Sequence, residues 1–303
     1  MNMGIIAASR LRAEVFGPEF IIEVDTSKVG SASDAFQFTN AQGDYDVIAK
    51  QGGSVVQTFS NLSNEETITF INGPGIYVLE VTAKATNGFT GLAFNNSGDK
   101  LKLNKINQFG VFNDGRNGLF YGCENLTEIS NDVDWLNVLI ISNNLFRNCF
   151  SLTSLPEALT FDALTSSGNT FFGCSLTSLP SGMNLNNLVT SYSFFRHNNL
   201  TSIPDNMRLD NLSIAVNMFD RNSLTSLPSG MNLSNLTNGR EMFFNVTINT
   251  TRYSELLVDM EDLNSNNNVD FHGGNSKYNT DGETARNLLT GSQNWNITDG
   301  GLE

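Results

Sequence analysis

A five-residue phrase, Leu-Thr-Ser-Leu-Pro, returns at a fixed interval and constrains this chain more than any other feature. It stands at Leu152–Pro156, Leu176–Pro180 and Leu224–Pro228, with a conservative copy at Leu200–Pro204 in which Ile203 replaces the second Leu. A truncated copy begins at Leu126, and a degenerate one without the Pro begins at Ile248. The leading apolar residues are therefore separated by 26 residues once and by 24 thereafter. A period in the twenties marks stacked supersecondary units, none of which buries enough apolar surface to fold alone.

A second column runs in phase with the first. Five or six residues before each phrase stands a Phe: Phe120, Phe146, Phe171, Phe195, Phe219 and Phe243. Between the columns lie small or polar residues, Cys123, Cys149, Cys174, Asn198, Asn222 and Val246. The reading is a shared interior in which the Phe side chains form a spine, each burial stabilising by roughly 1.5–3 kcal/mol. The Pro that closes each phrase lacks an N–H, so it is expected to end a strand formed by Leu-Thr-Ser-Leu.

The repeat Phe146-Arg147-Asn148-Cys149-Phe150-Ser151-Leu152-Thr153-Ser154-Leu155-Pro156 resembles the BspA-type leucine-rich repeats, as does the polar stretch Met183–Leu188 after the next copy. Phe271–Tyr278 and Trp295–Gly301 look like the terminal segment of that group. The resemblance implies a leucine-rich-repeat solenoid over about residues 98–303. It also implies a place among bacterial and protozoan surface proteins or proteins encoded by bacteriophages. Solenoids serve many partners, so the resemblance points to a fold more than to a ligand.

The rest of the chain is expected to be mainly β. Residues 1–19 read as an N-terminal docking tail, with Ile5, Ile6 and Leu11 as its apolar contacts. Six short strands are expected over 20–86: Phe20–Val24, Phe36–Phe38, Asp44–Ala49, Ser54–Phe59, Glu66–Phe70 and Ile76–Val81. Apolar and polar residues alternate along several of them, as in half-buried strands. Gly73–Val81 resembles the last hairpin of PKD-like, immunoglobulin-like modules, which implies a small β-sandwich. Residues 87–303 are assigned to the solenoid, with repeats over about 98–250 and a cap over 251–303. Apolar residues at 253, 256, 257, 260 and 263 have helical spacing, and a second helix is expected over Thr284–Leu289.

Composition narrows the chemistry. The 31 acidic residues against 17 basic ones give a net charge of −14, which argues against non-specific nucleic-acid binding. Three Cys spaced like the repeat do not make a disulfide framework, and with no Cys-x-x-Cys and only His197 and His272 a zinc site is not expected. Asn264–Asp270 offers oxygens to a calcium ion but lacks calcium-loop spacing. No nucleophile motif, metalloprotease motif or phosphate loop is present, so no catalytic, cofactor-binding or metal-binding residues are assigned. In Met1–Arg12 the positive charges follow the apolar run, the wrong order for a secretion signal, and no apolar run is long enough to span a membrane.

What varies from repeat to repeat is polar surface. Tyr192, Arg196, Arg208, Arg221 and Arg240 are the candidate binding residues. The expectation is a non-enzymatic bacteriophage virion protein: a fibre, decoration or tail-associated adhesin. It would dock on other virion proteins by its N-terminal region, in several copies, and present the repeats to a host-surface glycan or protein. The alternative is a bacterial cell-surface adhesin or secreted interaction protein.

Overall fold

The computed structural model describes residues 18–303. The candidate tail contacts Ile5, Ile6 and Leu11 lie outside the described residues. The chain divides into two units. One reaches to Trp135 and takes in Asn148–Leu152; the other comprises Leu136–Arg147 and Thr153–Glu303.

The first unit contains β1 (Phe20–Asp25), β2 (Ala35–Gln37), β3 (Asp44–Gln51), β4 (Ser54–Ser63), β5 (Thr67–Thr69), β6 (Ile76–Ala83), β7 (Leu103–Gln108) and β8 (Glu128–Ile129). Alternation drives the longer strands. Phe20, Ile22 and Val24 of β1, Tyr45, Val47 and Ala49 of β3, and Tyr77, Leu79 and Val81 of β6 are all fully buried. Each set occupies every second position, as a period of two requires. The six strands fall close to where the sequence places them, but they do not make the expected sandwich bounded at residue 86. Six strands form one mixed sheet in the order β4-β3-β6-β1-β7-β8, and β2 and β5 form a separate two-stranded ribbon. The reason is the free edge of β1. Leu103 and Ile106 of β7 bury their side chains, and β7 pairs antiparallel with β1 while β8 adds in parallel.

The second unit contains β9 (Ile141–Asn143), β10 (Ser166–Gly168), β11 (Thr190–Tyr192), β12 (Ile214–Val216), β13 (Asn238–Gly239), β14 (Asp270–His272) and β15 (Asn296–Thr298). These strands make one parallel sheet in unbroken chain order. The structure does not show the expected leucine-rich-repeat solenoid with strands over Leu-Thr-Ser-Leu. The four copies that end in Pro carry no strand, and the strands lie upstream, before Phe146, Phe171, Phe195, Phe219 and Phe243, while the truncated copy at Leu126 ends in β8. The spacing explains this. Leu176 and Leu179 are both buried although they are three residues apart, which a strand of period two cannot achieve. The phrase instead turns, and successive copies touch through bonds such as Thr177 N to Thr153 O at 3.1 Å.

Each of the three-residue strands β9–β12 buries its middle residue, Ser142, Ser167, Ser191 and Ala215, and the two-residue β13 buries Gly239 at the equivalent position, so all five are small. Small residues leave room for the Phe column: Phe146, Phe171, Phe195, Phe219 and Phe243 are all 0–1% exposed. Their rings stack at 5.7, 5.8, 5.8 and 5.7 Å between centroids, with interplanar angles of 4–14°. After each strand the backbone passes twice through the left-handed region, four residues apart. The pairs are Asn144 and Asn148, Asn169 and Gly173, Ser193 and His197, Asn217 and Arg221, and Glu241 and Asn245.

The polar column acts as a backbone clamp. Asn222 Nδ2 donates to Phe195 O at 2.8 Å and Phe219 O at 3.1 Å, while its Oδ1 accepts from Leu200 N at 3.1 Å. Asn198 repeats the arrangement one step earlier with Phe171 O, Phe195 O and Leu176 N. At the preceding copy Cys174 Sγ donates to Phe146 O at 3.1 Å. Asn222→Ala is expected to lower stability by about 1–3 kcal/mol, because it strands buried backbone groups. Urea unfolding measures this, and an unchanged midpoint would contradict the clamp.

Two helices complete the unit. Helix α1 (Thr250–Leu263) buries Tyr253, Leu256, Leu257 and Met260, four of the five residues whose spacing predicted it, whereas the fifth, Leu263, is exposed at the helix end. Its N-cap Asn249 accepts from Arg252 N. Helix α2 (Thr280–Ser292) is longer at both ends than expected and is capped by Asn279, which accepts from Asp281 N and Gly282 N.

Candidate functional site

The residue after each column Phe points to the same edge of the second unit. In order these are Arg147, Phe172, Arg196, Asp220, Phe244 and His272. The next residue along is His197 in one repeat and Arg221 in the following one. The side chains touch in sequence. Arg147 and Arg196 both lie against the Phe172 ring, with Cζ 5.2 and 5.8 Å from its centroid. The His197 ring packs on Phe172 at 5.4 Å, Arg221 lies 6.0 Å over Phe244, and Phe244 meets His272 at 5.4 Å. The result is a guanidinium–aromatic row in which the three Arg–Phe contacts are of the favourable cation–π kind.

Three local rules fail together in the middle of this row. Asp220 is fully buried, and neither of its carboxylate oxygens has a hydrogen bond. Arg196 Nε approaches Oδ2 to 2.6 Å as an ion pair without hydrogen-bond alignment, and Arg221 Nε stands 3.8 Å from Oδ1. Burial pushes the Asp220 carboxyl above its usual range, against the opposing pull of Arg196 and Arg221. His197 and Arg221 themselves sit at φ +58° and +56°, where the equivalent residues are Asn148, Gly173 and Asn245. A left-handed backbone costs a residue with a branched or long side chain roughly 1–2 kcal/mol relative to glycine. A buried carboxylate held by ion pairs and a strained backbone concentrate where function opposes stability.

The histidines are held neutral. Arg221 Nη1 donates to His197 Nε2 at 2.9 Å, and since a guanidinium only donates, Nε2 is the unprotonated nitrogen. Burial and the neighbouring Arg221 and Arg196 lower the His197 pKa. Burial likewise lowers that of His272, whose Nδ1 accepts from Gly274 N at 3.0 Å.

Raising a carboxyl pKa on folding means that the ionised group opposes folding above about pH 3.8 and no longer does so below it. Asp220→Asn is therefore expected to melt higher than the parent at pH 7.5, with the gap closing by about pH 3. A variant that melts lower at pH 7.5 would show that the ion pair outweighs the burial cost.

Of the residues expected from sequence, Arg196 and Arg221 meet at this cluster. Tyr192 ends β11 with its side chain exposed, and Arg240 is exposed just after β13. Arg208 is elsewhere and serves a structural role, donating to Gly230 O at 2.9 Å. Sequence reasoning missed Arg147, Phe172, Asp220, Phe244 and His272 as a set. Their signal was positional, since each immediately follows a residue of the Phe column or its counterpart Phe271. Among the described residues no group of three His, Cys, Asp or Glu side chains is placed to hold a metal ion. The three Cys are buried free thiols, and no described helix is long and apolar enough to cross a membrane.

Compared with family models, curated proteins and solved structures, the chain matches none of them. The functional reading therefore rests on the residues themselves.

Proposed function

We propose that this chain is a non-enzymatic structural protein of a bacteriophage virion, a fibre, decoration or tail-associated adhesin that displays the guanidinium–aromatic row for binding. The observation that carries the reading is the row itself. Six consecutive repeats hold charged and aromatic side chains in register on one edge, at a cost in backbone strain and buried charge around Asp220. Such a surface suits an extended partner, with each repeat adding a contact. The virion assignment is supported by the likeness of the repeat phrase to phage-encoded repeats. Docking by the N-terminal region would place several copies on one particle, where weak single contacts combine into avidity.

Quantitative mass spectrometry of purified phage particles tests the assignment. Peptides of this chain at a fixed ratio to the capsid protein, retained through density-gradient purification, are the expected result. Recovery from the bacterial envelope fraction instead would overturn it in favour of a cell-surface adhesin.

A further inference from the structure

We propose that the row from Phe172 to Phe244 is a binding site for a carboxylated polysaccharide, a polyuronate, whose carboxylates are taken by Arg196 and Arg221. The inference deepens the display reading above, since it names the class of polymer that the displayed edge would take.

The chemistry is complementary in three respects. Two guanidiniums flank one buried carboxylate, and His197 between them is neutral, so the cluster carries a net charge of one positive (two Arg less Asp220). That balances one carboxylate from a ligand, and the planar fork of arginine matches a carboxylate with two parallel hydrogen bonds. Arg196 and Arg221 keep 26% and 46% of their side-chain surface exposed, so both reach solvent. Asp220 is sealed beneath them and acts as a positioning residue that sets the two guanidiniums side by side.

The flanks suit sugar rings. Phe172 and Phe244 are half-buried aromatic residues on either side of the charged centre. The adjacent Phe column repeats at 5.7–5.8 Å, so the two rings, three repeats apart, stand further apart than three steps of a flat sheet, in which strands repeat at about 4.8 Å. An extended chain of rings laid along this edge meets the exposed part of Phe172, then two charges, then the exposed part of Phe244, the remaining surface of the two rings being taken by Arg147, Arg196 and His197 and by Arg221 and His272. Single-stranded nucleic acid also pairs stacked rings with anions. A nucleic acid calls for a basic groove that tracks its backbone, whereas this edge concentrates its charge at one centre between Arg196 and Arg221, which matches a single carboxylate.

The substitutions that test this site relieve strain. Asn already occupies the left-handed positions 148 and 245, so His197→Asn and Arg221→Asn remove the binding groups while easing the backbone. The full chain is immobilised and titrated with alginate, polygalacturonate and hyaluronate, then with neutral dextran, dextran sulfate and oligo(dT). At least one polyuronate is expected to bind, more weakly as salt rises. Arg221→Asn is expected to weaken that binding at least tenfold, with neutral dextran inert throughout.

Failure of all three polyuronates would overturn the proposal, as would binding that Arg221→Asn leaves unchanged. Binding of dextran sulfate alone would overturn the carboxylate assignment, and binding of oligo(dT) through Arg221 would replace the glycan by a nucleic acid. Polyuronate binding by a chain that is missing from phage particles would instead keep this site and remove the virion assignment.

Discussion

Replacing Phe195 by alanine is expected to lower the stability of the second unit by about 3–5 kcal/mol, the usual cost of emptying a buried aromatic site. Phe195 is fully buried at the centre of the column, with Phe171 and Phe219 stacked on either face at 5.8 Å and Phe194 tilted against it at 4.4 Å. Collapse into the cavity is hindered on both faces. The neighbouring rings Phe171 and Phe219 are fixed by their own stacking in the column. Asn198 and Asn222 both bond to the Phe195 carbonyl, so the backbone is pinned as well. Phe195→Leu retains most of the volume and is expected to cost about 1.5 kcal/mol or less. Urea unfolding of the two variants separates volume from fold. A loss below about 1 kcal/mol for Phe195→Ala would mean that the stacked rings do not carry the unit's stability.

The parts of the fold that were legible in the sequence are those whose burial has a period. Phe20, Ile22 and Val24 alternate, so β1 was visible; residues 253, 256, 257 and 260 share a helical face, so α1 was visible. The 24-residue phase of the second unit was equally plain. The location of its strands was not. A three-residue strand such as Thr190–Tyr192, with one small buried residue, contains too little alternation to be read. The Leu-Thr-Ser-Leu phrase drew attention because it is apolar and regular, yet its Leu residues face inward from a turn. The sandwich expectation failed for a different reason, since pairing between β1 and β7 joins residues 79–87 positions apart, from Val24 with Leu103 to Ile21 with Gln108, and no local pattern reports it.

The candidate site was half legible. Arg196 and Arg221 stood out as bulky basic residues in a variable segment. Asp220 did not, because an isolated acid in an acidic chain looks like surface charge. Only the register against the Phe column places it where Phe172 and Phe244 stand in other repeats, and only the folded chain shows that it is sealed from water.

In the first unit, Lys102→Met is expected to cost about 3–5 kcal/mol, because it leaves a buried carboxylate without its counter-charge. Lys102 and Asp99 are both fully buried, 3.3 Å apart. A simple buried pair can often be exchanged for two apolar residues with little loss. This one is expected to behave differently, since both ends hold the same loop. Asp99 accepts from Ser31 N, Ser31 Oγ and Gln37 N at 2.5–2.7 Å. Lys102 Nζ donates to Ser31 Oγ and to the carbonyls of Ala32 and Ala35 at 2.8–2.9 Å. Gly30 lets the loop close over the pair, for a Cβ there would lie 2.2 Å from Asp99 Oδ1. In the double variant Asp99→Leu/Lys102→Met the charges are gone, but Ser31 N, Gln37 N and the Ala35 carbonyl lose their partners, each at about 1–3 kcal/mol if it stays buried, while the Ala32 carbonyl keeps its bond from Ala35 N. The double variant is therefore expected to remain at least about 3 kcal/mol less stable than the parent, while losing less than the sum of the two single variants. A double-mutant cycle by urea unfolding decides the matter. Recovery to near-parental stability in the double variant would make the pair an exchangeable charge couple; persistent loss identifies it as the hydrogen-bonded anchor that fixes the loop between β1 and β2.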